Sequence, residues 1–442
     1  MKKLAGLLFL VFCYSAISAF GQARPSDDTS AIGHWEGLIT RDGKEWRAWV
    51  DIRANGTALS GTADFPDYGL YAFPILVSRE NDTVRISVLE GKEVASYDGR
   101  IDGDNISGNW KGLGLAAQFH LLRKQHISLE PYIVEDVQFQ NGGAILAGTL
   151  VRPNKRGRFP AVVFTHGSGN QTRSESFYRS RAYWFARNGI AALIYDRRGK
   201  GASKGDANVT WEDLADDALA GVKLLGTRPG IDAKKIGVSG FSQGGWVAPV
   251  AASRSRDVAF VLVGSAAAVS PVEQNDFNVI SALQNQKVSA EKVRYVMDLR
   301  HRIAEFQLNG KGKAEELEKE IGSLKAEPWF GSALFADHIE QYDESLKPYM
   351  TFDPAPVWEK VKMPVLALWG GSDLAVPAAK SREIIDRALR HSNARNYDLR
   401  EFPHAGHGLS IDRAKDDPWD FPRLVPGYQE LMVSWVQKNM SR

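Results

Sequence analysis

Two different patterns of apolar residues follow one another along the chain. From about His34 to Arg123, apolar and polar residues alternate in short runs. Trp46-Arg47-Ala48-Trp49-Val50-Asp51-Ile52 and Thr83-Val84-Arg85-Ile86-Ser87-Val88-Leu89 are the clearest. A period of two places every second side chain on the same face, which marks half-buried β-strands. Asn55-Gly56, Glu90-Gly91 and Asp102-Gly103 separate the runs with residues suited to tight hairpin turns, and Ala116 to Leu122 ends the set. No helical period interrupts. Residues 30–125 are therefore expected to form a small all-β domain, a sandwich or a barrel. Trp35, Trp46, Trp49 and Trp110 either make up its core or line a ligand cleft, and large aromatic side chains more often fill cores.

Beyond about Val134 the pattern changes. A β-hairpin, Val137 to Val151, precedes continuous apolar runs at Ala161 to Phe164, Ala191 to Tyr195, Lys235 to Val238, Ala259 to Val263 and Val365 to Leu368. Continuous apolar strands are buried on both faces. Alternating with helices, they predict a mostly parallel sheet in an α/β domain spanning 130–442. Thr210-Trp211-Glu212-Asp213 reads as a capping box. It opens a helix whose apolar positions, Trp211, Leu214, Ala215, Ala218, Val222 and Leu225, recur at helical spacing. The long insertion between the strands at Ala259 and Val365 is improbable as a structureless loop. Ala290 to Leu308 and Ala314 to Ala326 are amphipathic and free of proline, so a helical cap is expected at about 271–350.

Composition removes several classes of function. Apolar residues make up 43% of the 442 and charged residues 24%, as in globular proteins. The net charge of +2 gives no support to nucleic-acid binding, which calls for a clustered basic excess. Residues 1–21 have the form of a signal peptide: Lys2 and Lys3, a short apolar run from Leu4 to Phe12, then Ala19-Phe20-Gly21 with cleavage expected before Gln22. The run is short against the ~20 residues a membrane span requires. The chain is accordingly expected to be exported, to the periplasm or beyond, with no stable membrane insertion after cleavage. Cys13, the single cysteine, lies in that segment behind Phe12, where a lipoprotein signal would place a small residue. The mature chain is thus left without disulfide, thiolate metal site or cysteine nucleophile.

The chemistry concentrates at strand ends. Gly240-Phe241-Ser242-Gln243-Gly244 follows one predicted strand and leads into Trp246-Val247-Ala248. Strand, sharp turn and helix is the setting in which G-x-S-x-G presents a nucleophile, so Ser242 is the candidate. Thr165-His166-Gly167-Ser168-Gly169 follows another strand. Backbone N–H groups of Ser168 and Gln243 are the expected oxyanion donors, preorganised and unable to titrate. His166 is expected to prop that loop rather than act as a base. Asp373, in Gly370-Gly371-Ser372-Asp373, ends the strand at Val365 and is the candidate acid. Asp196 also follows a strand, but it precedes the serine and sits in an arginine-rich turn suited to a structural ion pair. The order serine, acid, histidine places the base downstream, in Phe402-Pro403-His404-Ala405-Gly406-His407-Gly408. His407, between two glycines, is preferred to His404, and His391 falls on a helix surface. No His, Asp and Glu group has metal-ligand spacing, so no metal is expected.

These residues resemble the α/β-hydrolase superfamily. The similar motifs are His166-Gly167-Ser168-Gly169, Tyr195-Asp196-Arg197-Arg198-Gly199-Lys200-Gly201, Gly240 to Gly245, Gly371-Ser372-Asp373 and His407-Gly408, spread over Val134 to Arg442. Within the superfamily, the chain looks closest to secreted bacterial esterases and serine aminopeptidase-like hydrolases that carry an N-terminal β-domain. Gly33-His34-Trp35-Glu36-Gly37 and Leu59-Ser60-Gly61-Thr62 are a looser match to that domain. The resemblance implies cleavage of a small-molecule carboxylic ester or peptide-like substrate, without cofactor. It names no particular substrate, and the oligomeric state stays open. Three other readings remain: a thioesterase, an inert secreted binding protein, and an aminopeptidase. The last would need an anionic clamp for the substrate amine, for which Glu305, Glu316 and Asp337 in the cap are candidates.

Overall fold

A computed structural model describes residues 29–90, 92–112, 115–124, 132–168, 171–336, 338–342, 344, 347–394, 396–411 and 423–441. The expected signal segment lies outside them. The alternating runs become eight strands: β1 (Gly33–Arg41), β2 (Lys44–Asn55), β3 (Ala58–Phe65), β4 (Leu70–Glu80), β5 (Thr83–Glu90), β6 (Lys92–Asp102), β7 (Asn105–Gly112) and β8 (Leu115–Lys124). Each pairs antiparallel with the next, and β8 returns to β1, closing a barrel. Closure removes both sheet edges, and the apolar half of each alternation turns inward. Trp35, Ile52, Ile86, Tyr97 and Ile106 are fully buried there. Gly56, with φ +61°, makes the turn expected at Asn55-Gly56.

The second unit is an eight-stranded sheet. It is built of β9 (Tyr132–Asn141), β10 (Ala144–Pro153), β11 (Phe159–Thr165), β12 (Ala191–Tyr195), β13 (Ile231–Phe241), β14 (Val261–Gly264), β15 (Val365–Gly370) and β16 (Tyr397–Phe402). Their spatial order is β16-β15-β14-β13-β11-β12-β10-β9. From β12 to β16 all neighbours run parallel, while the hairpin β9–β10 joins antiparallel on β12. Apolar residues alternate between two cores along each central strand. Val163, Val238, Val263 and Ala367 pack with the helices α2 (Trp211–Gly226), α3 (Gly244–Arg254) and α9 (Ala378–His391). Val162, Phe164, Leu262 and Leu366 pack with α1 (Ser176–Arg187) and α10 (Tyr428–Met440). A sheet covered on both faces explains why its strands show no polar alternation in sequence. Helix α2 begins with the predicted box: Thr210 Oγ1 accepts from the Asp213 N–H (3.2 Å) and Asp213 accepts from the Thr210 N–H (3.0 Å).

The insertion between β14 and β15 carries α4 (Pro271–Asn285), α5 (Ala290–Asn309), α6 (Ala314–Leu324), the single turn α7 (Lys347–Met350) and, just before β15, α8 (Ala355–Trp358). It has apolar clusters of its own, around Leu283, Val296 and Trp329 and around Leu299, Leu317 and Ile321. The barrel rests on α1. The Tyr71 N–H donates to Ser180 Oγ (3.0 Å), the Tyr71 and Trp184 rings stack 4.9 Å apart, and buried Asp64 pairs with Arg187 at 3.0 Å.

Candidate active site

Parallel strands end on one edge, and the polar residues singled out in the sequence converge there. Ser242 follows β13 with φ +52°, a left-handed conformation that a non-glycine residue adopts at a cost. Its N–H donates to the Gly264 carbonyl at 2.9 Å, and the Gly245 N–H donates back to the Ser242 carbonyl at 2.8 Å. The turn is tight enough that a Cβ on Gly240 would collide with the Gly244 carbonyl. The side chain is thereby held clear of its own backbone.

Ser242 Oγ lies 2.9 Å from His407 Nε2, and His407 Nδ1 lies 2.9 Å from Asp373 Oδ2. The Asp373 carboxylate is buried, and its other oxygen accepts the N–H groups of Ala375 (2.8 Å) and Val376 (3.0 Å). Those bonds fix its orientation toward the imidazole and compensate its desolvation. His407 is half-buried, and its loop is held from the other side by Ser265, whose hydroxyl donates to the His407 carbonyl at 2.7 Å. Such an arrangement can pass a proton from the serine to the imidazole while the carboxylate steadies the resulting cation.

The loop after β11 lies beside Ser242: a Cβ on Gly167 would sit 3.7 Å from the Ser242 Cβ. The Gly167 N–H is taken up by the Tyr178 hydroxyl at 2.7 Å, so the next N–H along, that of exposed Ser168, is the loop's candidate anion donor. Gln243 follows Ser242 at the N-terminus of α3, where backbone N–H groups and the helix dipole favour negative charge. Gly169 lies outside the described residues. His166 props the loop as expected: it is buried, and its Nε2–H donates to the Tyr195 carbonyl at 2.5 Å. Burial holds its pKa down at about 4, against the pull of that bond, so it stays neutral.

Asp196 serves structure, but not through the arginines of its own turn. Its carboxylate accepts the N–H groups of Arg173 and Ala202 (2.8 Å each), with the Arg173 guanidinium 3.7 Å away. Arg198 turns instead to buried Asp217, at 2.5 and 2.7 Å. His404 and His391 are exposed. The clamp candidates Glu305 and Glu316 are exposed as well, paired with Lys311 (2.7 Å) and Lys313 (2.8 Å), and Asp337 is outside the described residues.

Sequence reading missed the residues by which the cap touches this edge. Tyr349 of α7 stacks on Trp211 with ring centroids 3.8 Å apart and accepts from Gln243 Nε2 at 2.5 Å. Gln274 of α4 donates to the Ala375 carbonyl, two residues from Asp373, at 2.6 Å. Tyr178 and Ser265 were missed too. Except for Tyr178, 11 residues from Gly167, these contacts join residues a hundred or more positions apart, and no local motif announces them. Among the described residues no group of three or more His, Cys, Asp or Glu is placed to hold a metal ion.

Esterase EstD of Thermotoga maritima is 26% identical over 287 residues, covering 62% of this chain and 61% of that protein. Polyketide transferase af380 of Aspergillus fumigatus is 32% identical over 164 residues, 35% of this chain and 53% of that one. Thiohydrolase apmlB of Arthrinium phaeospermum is 31% identical over 144 residues, 32% and 45% of the two chains. The chain thus spans less than two thirds of the length of each. Among solved structures, the Pyrococcus furiosus esterase Pf2001 matches with a TM-score of 0.46 and 17% identity, over 70% of this chain and 93% of that one. The family model described as alpha/beta hydrolase family matches residues 162–418, which hold the elbow, the acid strand and the histidine loop. The chain belongs to the alpha/beta hydrolase family.

Proposed function

We propose that the protein is an exported serine hydrolase that cleaves carboxylic esters through an acyl-enzyme on Ser242. The observation that carries this reading is the continuous relay from Ser242 Oγ to His407 to Asp373, with both links at 2.9 Å, on a serine held at positive φ. His407 takes the serine proton, and the alkoxide attacks the substrate carbonyl. The N–H groups of Ser168 and Gln243 hold the oxyanion. The alcohol leaves with the proton from His407, and water, activated by the same imidazole, releases the acid. No cofactor enters these steps. Export rests on the Lys2-Lys3 start, the short apolar run and the Ala19-Phe20-Gly21 site.

A thioester is the second reading, favoured by the similarity to a thiohydrolase and a polyketide transferase. An aminopeptidase finds less support, because Glu305 and Glu316 are exposed and paired with lysines. The test is a panel of p-nitrophenyl esters of graded chain length beside acyl thioesters and aminoacyl-anilides. Ester turnover that exceeds the other two supports the first reading. Turnover of anilides alone overturns it.

A further inference from the structure

The turn after β12 holds three charged residues in a row, Asp196, Arg197 and Arg198. Two of them have partners. Asp196 is engaged by Arg173 and by backbone N–H groups, and Arg198 by buried Asp217. Arg197 is left over. Its side chain is half-buried, and its Nε is shielded from solvent without a hydrogen-bond partner. Among the described residues no carboxylate lies within ion-pair distance of its guanidinium, since those nearest in sequence pair with Arg173 and Arg198. A cation partly withdrawn from water without a countercharge is costly, and a shielded donor without an acceptor calls for an explanation.

Its position suggests one. Arg197 stands just past the C-terminal end of β12, on the edge that carries Ser242, His407 and Asp373. The Arg197 N–H donates to the Gln171 carbonyl at 3.0 Å. The Gln171 amide donates in turn to the carbonyl of Gly167, in the candidate oxyanion loop (3.1 Å), and to Gln243 Oε1 (3.3 Å). Gln243 Nε2 donates to the Tyr349 hydroxyl, and the Arg197 guanidinium approaches that same hydroxyl. The cation is thus tied on two sides to the residue that directly follows the nucleophile. Tyr349 does not neutralise it. Burial pushes the phenol above its ordinary range, against the pull of Arg197 and of the bond from Gln243, so the hydroxyl stays uncharged.

We propose that Arg197 is a specificity-determining residue that binds a carboxylate carried by the substrate close to its scissile carbonyl. The role rests on the ester-cleaving function proposed above and names a substrate class for it. A guanidinium offers parallel N–H bonds to the two oxygens of a carboxylate. Arg173 and Arg198 are committed to Asp196 and Asp217, so one cation meets the ligand, which suits a monoanion better than a phosphate dianion. The carboxylate can belong to the acyl part of the ester or to its leaving group, with the same chemistry.

Two matched pairs of substrates test this. Mono-p-nitrophenyl glutarate and its methyl ester place the charge, or its neutral counterpart, on the acyl side. The anion p-acetoxybenzoate and its methyl ester place it on the leaving group. The readout is the ratio of kcat/KM, charged over neutral, compared between the unaltered chain and Arg197→Met. The comparison cancels both the intrinsic reactivity of each ester and any general loss of activity. In at least one pair the ratio should fall about tenfold in Arg197→Met, chiefly through KM of the charged ester. Arg197→Lys, which keeps the charge without the planar fork, should restore part of it. The pair that responds shows which part of the substrate carries the carboxylate. If Arg197→Met does not fold, Arg197→Gln decides. A ratio unchanged in both pairs would overturn the proposal. No hydrolysis of any ester by the unaltered chain would instead be a failure of the ester-cleaving reading. Calorimetric titration with monomethyl glutarate then decides on the carboxylate site: binding that Arg197→Met loses supports it, and no binding, or equal binding by both chains, overturns it.

Discussion

The barrel and the parallel sheet are both built around apolar cores, but they treat polar groups differently. Among the described barrel residues, Asp64 and Ser96 are the buried polar side chains, and Asp64 is engaged by Arg187 and the Ala72 N–H. In the sheet, buried Thr165, His166, Asp196, Ser265 and Asp373 all lie at or just past the C-terminal ends of strands. The cause is topological. A meander of antiparallel strands divides its turns between two ends, whereas parallel strands with crossovers bring the same end of every strand to one edge. The sheet can therefore gather chemistry at one edge from residues far apart in sequence, and the barrel cannot.

The largest expected effect lies on the sheet edge. Ser242→Ala should lower turnover of the best ester by roughly 10⁴-fold or more without unfolding the protein, and His407→Ala should match it. His404→Ala, exposed on the same loop, should stay within about tenfold of wild type. Steady-state kinetics on the three variants check this, and the reverse ranking of the two histidines would move the base to His404.

The next effect concerns stability. Asp217→Asn breaks the buried pair with Arg198 and should cost about 3 kcal/mol in chemical denaturation, because the guanidinium is left buried without its countercharge. A smaller loss is expected for Tyr178→Phe, which deprives the Gly167 N–H of its acceptor. It should cost roughly 1–3 kcal/mol and, if Ser168 is the proposed oxyanion donor, lower kcat more than it raises KM, since it loosens the loop that carries Ser168.

The smallest effects are pH-dependent and run in opposite senses in the two units. In the barrel, the bond from His34 to Asp51, aided by Glu36, outweighs burial and raises the His34 pKa to about 9. Its contribution is fully present below the unfolded value near 6.5 and fades as pH rises through 9. In the sheet, buried His166 is lowered to about 4, so its contribution is present above 6.5 and declines as pH falls toward 4. The stability gap between wild type and His34→Gln should therefore close on the alkaline side, and that for His166→Asn on the acid side. Denaturation midpoints across pH 4–10 check both signs.

Much of this was legible in the chain because it is local. Alternation shows which face of a strand is buried, and G-x-S-x-G between strand and helix describes one turn. Closure of the barrel was not legible: it depends on β8 meeting β1, and the same alternation suits a sandwich. Helix α4 was not predicted, although Ser270 caps it by accepting the Glu273 N–H, a signal present in the sequence as Ser-x-x-Glu. Asp196 was expected to pair with its own arginine-rich turn, yet Arg173 and backbone N–H groups reach it first. Tyr178, Ser265 and Tyr349 became meaningful only once folding had set them beside Gly167, His407 and Gln243.

The proposed mechanism requires a covalent bond at Ser242, and mass spectrometry during turnover of a p-nitrophenyl ester tests for it most directly. Quenching within the first turnovers should give a protein heavier by one acyl group, with the added mass on the peptide that carries Ser242. Ester hydrolysis with the acyl group on another residue, or sustained at wild-type rate by Ser242→Ala, would contradict it.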